Sequence, residues 1–118
     1  MSFKEDNLIQ IKTFNFALSI INFYMVCKSQ NEYIISKQIL RSGTSIGANV
    51  EEAIAAQSKK DFISKLSIAN KEARETRYWL RLYSSSNLVQ INAESYLIEI
   101  ESIINILTKI IKTSSENL

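Results

Sequence analysis

Apolar residues recur along this chain at spacings of three and four, in four segments separated by short polar runs. That period belongs to helices with one buried face. The first segment runs from about Asp6 to Lys28. Its predicted seam is Ile11, Phe14, Leu18, Ile21 and Met25, widened by Phe16, Ile20, Phe23 and Tyr24. Ser29-Gln30-Asn31 ends it without glycine. The second segment begins between Glu32 and Ser36 and reaches about Gln57, with Ile35, Ile39, Ile46, Val50 and Ala53 on its buried side.

The third segment starts at Ser58, a good N-cap, with Asp61 in the capping-box position but shorter than the preferred Glu or Gln. Its seam is Phe62, Leu66, Ala69, Ala73, Thr76, Leu80 and Tyr83, alternating four and three as helices of a bundle do. Ser84-Ser85-Ser86-Asn87 closes it. The fourth runs from about Ala93 to Thr113 behind Asn92 as cap, and carries two adjacent seams: Leu97, Ile100, Ile104, Leu107, Ile111 and Tyr96, Ile103, Leu107, Ile110. A helix that apolar is buried on more than one side. One side is expected to face the core and the other a neighbouring subunit. The polar tail, Ser114 to Leu118, is expected to fray.

Four helices of about twenty residues with short links predict an all-α fold, an antiparallel up-down-up-down four-helix bundle ~30 Å long. The whole chain, residues 1–118, forms the single domain. Composition supports this. There is no proline and there are two glycines, too few for the turns of a sandwich or barrel. The glycines, Gly43 and Gly47, lie on one face of the second helix. Each costs a helix ~1 kcal/mol relative to alanine. Two readings stand: another helix approaches closely there, or the helix kinks near Gly43.

Several kinds of chemistry are missing. With no histidine, imidazole metal sites and Ser-His or Cys-His catalysis are absent from the chain as given. Glu51 and Glu52 are adjacent and point ~100° apart on a helix, so they make no acid/base pair alone. They read as a solvated face or an intersubunit ion pair. Ser42, Thr44 and Ser45 read as hydroxyls bonding back to the helix. The Gly43–Gly47 spacing lacks the Gly-Lys-Ser/Thr ending of a phosphate loop. The expectation is no enzyme, no metal and no cofactor. The lone Cys27, which reads as a small apolar filler, cannot form a disulfide within the chain, consistent with a cytoplasmic location. The N-terminus shows no secretory signal, and no apolar run is long enough to cross a membrane.

Charge adds the one candidate site. The net charge is only +2, but nine cations and five acids fall between Lys37 and Arg81. On the third helix Lys60, Lys71, Arg74, Tyr78 and Arg81 share one face, with Lys59 and Arg77 flanking it. Such a stripe can bind phosphates while Tyr78 stacks on a base. The competing reading is pairing within the chain, with Asp61–Lys65 and Lys71–Glu75 each four apart, or arginines in interface ion pairs. Trp79, next to Tyr78, reads as packing.

The runs RSGTSIGANVEEA (Arg41 to Ala53), AAQSKKDFISKLSIANKEA (Ala55 to Ala73) and RETRYWLRL (Arg74 to Leu82) closely resemble the four-helix-bundle family encoded in intervening sequences of bacterial large-subunit ribosomal RNA genes. The matching positions include Arg41, Ser42, Ser45, Asn49, Glu52, Lys71, Glu72, Arg74, Glu75, Tyr78, Trp79 and Arg81. The resemblance implies a left-handed antiparallel bundle that assembles as a homopentameric ring, with no catalytic residue among these positions. A related branch, accessory proteins of diversity-generating retroelements, is similar to pentameric barrels whose basic surfaces bind nucleic acid and a reverse transcriptase; this chain is less basic. Two functions are therefore expected. One is binding of nucleic acid, structured RNA before DNA, through Lys60, Lys71, Arg74, Arg77, Tyr78 and Arg81. The other is a structural adaptor whose ring holds a protein partner.

Overall fold

The structure, a computed structural model, describes residues 3–117. Four helices make it up: α1 (Phe3–Ser29), α2 (Ile35–Ile54), α3 (Lys59–Ser86) and α4 (Glu94–Glu116). Each packs on the next in the chain, and α4 closes back on α1, so that α1 and α3 lie diagonally across the bundle without backbone contact. Residues paired across the α1–α2, α2–α3 and α3–α4 contacts run in opposite order. Ile20 meets Gly43 while Thr13 meets Gly47; Glu52 meets Lys65 while Ser42 meets Thr76; Asn70 meets Thr108 while Arg77 meets Glu101. The result is an all-α four-helix bundle. Its 47 Å length exceeds the expected one because α1 and α3 have 27 and 28 residues.

Local chemistry sets the ends. Asn31 and Asn87 adopt positive φ, 65° and 57°, and end α1 and α3 in the left-handed cap geometry that asparagine tolerates better than most residues. Ser58 Oγ accepts from the Asp61 N–H at 3.1 Å, which starts α3. The Asp61 side chain returns no bond among the described residues, so the capping box is half-formed. The start of α2 is held by Glu32, whose carboxylate accepts from the N–H groups of Ile34, Ile35 and Ser36 at 2.9–3.0 Å. Partial burial alone would raise the Glu32 carboxyl; the three donors and the Ser36 hydroxyl outweigh it, and the net shift is downward. At α4 the cap position is Ala93, while Asn92 Oδ1 accepts from the Glu94 N–H one residue further out than expected. The tail expected to fray is helical through Glu116, with Ser114 buried; Leu118 lies outside the described residues.

The core confirms the seams of α2 and α3 almost throughout: Ile39, Ile46, Val50, Ala53, Leu66, Ala69, Ala73, Thr76, Leu80 and Tyr83 are buried, with Ile35 and Phe62 at its margin. Two expectations are corrected. On α1 the buried residues are Ile9, Thr13, Phe16, Ile20, Phe23 and Cys27. The predicted seam, Ile11, Phe14, Leu18, Ile21 and Met25, points to solvent. The two stripes lie on nearly opposite sides of the helix, and periodicity alone does not say which meets the bundle. The choice follows from α2. A Cβ on Gly43 would stand 3.0 Å from Ile20 Cγ2, and one on Gly47 would stand 3.3 Å from the Thr13 carbonyl oxygen. The bare backbone at both glycines therefore receives the Thr13–Ile20 side of α1. This is the close approach anticipated as one reading, and α2 runs without a break through Gly43.

On α4, Ile100, Ile103, Ile104, Leu107 and Ile110 are all buried in one chain, and Tyr96, Leu97 and Ile111 pack at their edge. Both seams serve the internal core, so neither is left for a neighbour. At the end of the bundle where α1 meets α4, Phe23 packs edge-on to Tyr83 and Tyr96, with ring centroids 5.4 and 4.9 Å away.

Candidate nucleic-acid interface

The outer face of α3 lies opposite its Leu66–Tyr83 seam and turns away from the core. Lys71, Arg74, Tyr78 and Arg81 lie along it at spacings of three and four, over ~15 Å of helix. All four are exposed, Tyr78 to 58%. Lys60 shares the face about 16 Å nearer the start of the helix. Lys59, at its flank, donates instead to the Asn117 carbonyl at 2.8 Å.

The acids of α3 are turned toward α2. Glu72 and Glu75 both meet the Arg41 guanidinium of α2, and Glu75 also accepts from Trp79 Nε1 at 2.9 Å. Lys65 pairs with Glu52 at 3.2 Å, not with Asp61, and Glu75 is not the partner of Lys71. The two intrahelical pairs expected from spacing are thus replaced by pairs between helices. Glu72 and Glu75 have a cation within reach on α2 and Lys65 has an acid there, where the crossing aligns them, while Asp61 has no ion-pair partner among the described residues. As a result Lys60, Lys71, Arg74 and Arg81 have no ion-pair partner among the described residues.

Arg77 is the member of the predicted set that the fold separates from the rest. It sits 60° to the α4 side of Arg74 and binds both Glu101 oxygens, at 3.0 and 3.2 Å. The structure therefore gathers Lys71, Arg74, Tyr78 and Arg81, keeps Lys60 at a distance and ties Arg77 to α4.

Tyr78 packs edge-on to Trp79, centroids 5.3 Å apart, which limits the positions of its ring while leaving the outer face open. Beside it is a shallow hollow of about 340 Å³ lined by Tyr78, Arg81, Leu82 and Ser85. Leu82 and Ser85 were not singled out in the sequence, although Leu82 follows Tyr78 at a helical spacing of four. An aromatic face, an arginine and an apolar floor suit a flat ring bearing or adjoining an anion.

The other candidates resolve into structure. Ser42, Thr44 and Ser45 donate to the carbonyls of Gln38, Leu40 and Arg41 at 2.7–2.9 Å. Glu51 accepts from Gln10 Nε2 at 2.9 Å. Cys27 is fully buried, and burial, above all, pushes its thiol and the neighbouring Tyr83 hydroxyl upward. Among the described residues no cluster of three or more carboxylate and thiol groups could hold a metal ion, and no helix is long and apolar enough to cross a membrane.

No curated protein matches the chain. Among solved structures it is similar to a protein of unknown function from the S23 ribosomal protein family of Bacteroides thetaiotaomicron VPI-5482. The two are 47% identical with a TM-score of 0.86, over 92% of this chain and 98% of the other. The model of the 23S rRNA-intervening sequence protein family matches residues 5–111, which take in most of α1 and α4, all of α2 and α3, and the whole basic face of α3. By sequence and by fold together, the chain belongs to the 23S rRNA-intervening sequence protein family.

Proposed function

We propose that this protein is a non-enzymatic, cytoplasmic nucleic-acid-binding protein that works as a homo-oligomer, with the outer face of α3 meeting phosphates and structured RNA as the first ligand to test. The observation that carries this reading is the contrast on α3: its acids lie on the α2 side, while Lys71, Arg74 and Arg81 line the outer face without partners among the described residues. Phosphates would release counterions from such a stripe, and Tyr78 supplies a stacking surface. A net charge of +2 per chain is a weak field for a polyanion. Five copies in a ring, the assembly implied by the family resemblance, would carry about +10.

Fluorescence anisotropy with a structured RNA and with duplex DNA, across a salt series, tests this on protein freed of nucleic acid. The expected result is binding at micromolar protein that weakens steeply with salt. Charge reversal at Arg74 and Arg81 should abolish it while the helical content and assembly stay intact. Absence of binding at low salt would remove the reading.

A second reading draws on the exposed apolar groups among the arginines. Tyr78 and Arg81, with Leu82 beside them in the 340 Å³ hollow, give it the aromatic-plus-arginine composition of a protein-binding hot spot. An adaptor of this kind would co-purify with a protein partner that nuclease treatment does not release.

A further inference from the structure

Charge on α4 is divided along its length. The first half holds Glu94, Glu99 and Glu101, of which Glu99 is taken up by Lys12 and Glu101 by Arg77. The second half holds Lys109 and Lys112 against Glu116 alone. Both lysines are exposed, and neither has an ion-pair partner among the described residues, Glu116 included.

Two contacts fix how α3 and α4 lie side by side. Asn70 meets Thr108, and Arg77 meets Glu101. Seven residues along α3 thus match seven along α4 in the opposite direction. Continued past Thr108, that register sets Lys109 level with Ala69 and Lys112 level with Leu66. Both levels fall between Lys60 and Lys71 of α3, which stand ~16 Å apart. The one cation of α3 within that gap, Lys65, is turned to Glu52 on α2. The side of α4 is set as well. Lys112 is three turns from Glu101, to within ~20°, so it shares the side from which Glu101 reaches α3. Lys109, three residues earlier, turns ~60° further outward.

We propose that the nucleic-acid interface is built by two helices, with Lys109 and Lys112 of α4 holding the phosphate backbone across the gap between Lys60 and Lys71. Packed helices lie ~8–10 Å apart, so a strand running along the α3–α4 groove touches cations on both. Ser67, Thr108 and Asn105, beside that groove, are uncharged and can donate to phosphate oxygens. With α4 included, the cationic face runs unbroken from Lys60 to Arg81 over ~32 Å, close to one turn of a duplex. A face of that length fits a polynucleotide rather than a free nucleotide or a phosphate ion. An exposed lysine is ordinarily a solvated one; these two are set apart because they complete a face that α3 leaves interrupted. Lys28 and Lys37 are also exposed, but they lie on α1 and α2 at the opposite end of the bundle from Lys109 and Lys112. This inference rests on the nucleic-acid binding proposed above and extends its surface to a second helix.

The test uses a hairpin RNA and a DNA duplex, each about twenty base pairs long, some two turns. Anisotropy is followed across a salt series. The double variant Lys109→Gln/Lys112→Gln should lower the salt slope of binding by about 2. The double variant Lys28→Gln/Lys37→Gln removes the same charge away from the face and should leave the slope unchanged. On wild type, an amine-reactive label read by mass spectrometry should modify Lys109 and Lys112 at least ~10-fold more slowly in the complex than in free protein, with Lys28 and Lys37 unaffected. That labelling decides the matter if the α4 variant loses helical circular dichroism. An unchanged slope in a folded α4 variant, an equal loss in the Lys28/Lys37 variant, or full labelling of Lys109 and Lys112 in the complex would overturn the two-helix surface while leaving binding by α3 standing. Absence of wild-type binding at low salt would remove both.

Discussion

Arg77 and Glu101 are joined by two hydrogen bonds from one guanidinium nitrogen, at 3.0 and 3.2 Å, across the α3–α4 contact. One turn away, Arg74 and Arg81 carry the same group with no carboxylate partner among the described residues. Three arginines of one helix thus fall into two classes, and nucleic-acid binding should tell them apart. Arg74→Ala and Arg81→Ala should each reduce the salt slope of binding by about 1, uniformly across ligand sequences. Arg77→Ala should change it far less, and should cost the fold no more than ~1 kcal/mol, since the ion pair is partly solvated. Salt titrations of the three variants beside a thermal melt check both halves.

The two α2 glycines make a packing prediction. Gly43 has Ile20 against it at a distance where even a Cβ is tight, and Ile20 is itself fully buried. Gly43→Val should therefore destabilise the bundle by about 2–3 kcal/mol through overpacking, although valine is a better helix former than glycine. Chemical denaturation would show a lower midpoint with an unchanged slope. A gain in stability would mean that α1 and α2 are not in contact there.

Glu32 makes the acid stability of the fold depend on one capping carboxylate. Its folded pKa is lowered, net, because backbone N–H donors at the start of α2 outweigh the effect of burial. Its contribution is therefore present above the unfolded carboxylate value, near ~4.3, and is lost as pH falls through the lower folded value. Glu32→Gln should cost about 1 kcal/mol at neutral pH. The gap between wild type and variant should close as the solution is acidified below that window, which denaturation series from neutral to acid pH would record.

Cys27 is the single thiol, and it is fully buried with its pKa raised, chiefly by burial. A thiol reagent should label the native protein at least ~100-fold more slowly than the denatured chain, at the rate set by opening of α1. Rapid native labelling would show that the end of α1 is not packed as described.

The basic face was legible because a helix repeats by spacing. Lys71, Arg74, Tyr78 and Arg81 lie three and four apart, so any α3 that buries Leu66, Ala69, Ala73 and Leu80 must turn them outward. Their partners were not legible. Asp61–Lys65 and Lys71–Glu75 have the spacing of pairs within a helix, but Glu75 finds Arg41 and Lys65 finds Glu52, both on α2, and Arg77 finds Glu101 on α4. Competition between a neighbour in sequence and one across a helix contact depends on how far each helix is rotated about its axis, which no single helix specifies.

Periodicity and the scarcity of glycine and proline were enough to determine four helices, their order and the cores of α2, α3 and α4. Those helices have one dominant apolar face each, or two that merge, and burying it leaves little choice. α1 has two apolar faces of nearly equal strength on opposite sides, and its sequence favours neither. Only the tertiary structure chose between them. Gly43 and Gly47 open a groove on α2 that takes the Thr13–Ile20 side of α1, and the alternative stripe from Leu8 to Met25 was left outside. The same rotation brings Phe23 of α1 against Tyr96 of α4, with ring centroids 4.9 Å apart, and both seams of α4 are used internally. A local pattern fixes which residues share a face; which face is buried is settled by the shape of the helix it meets.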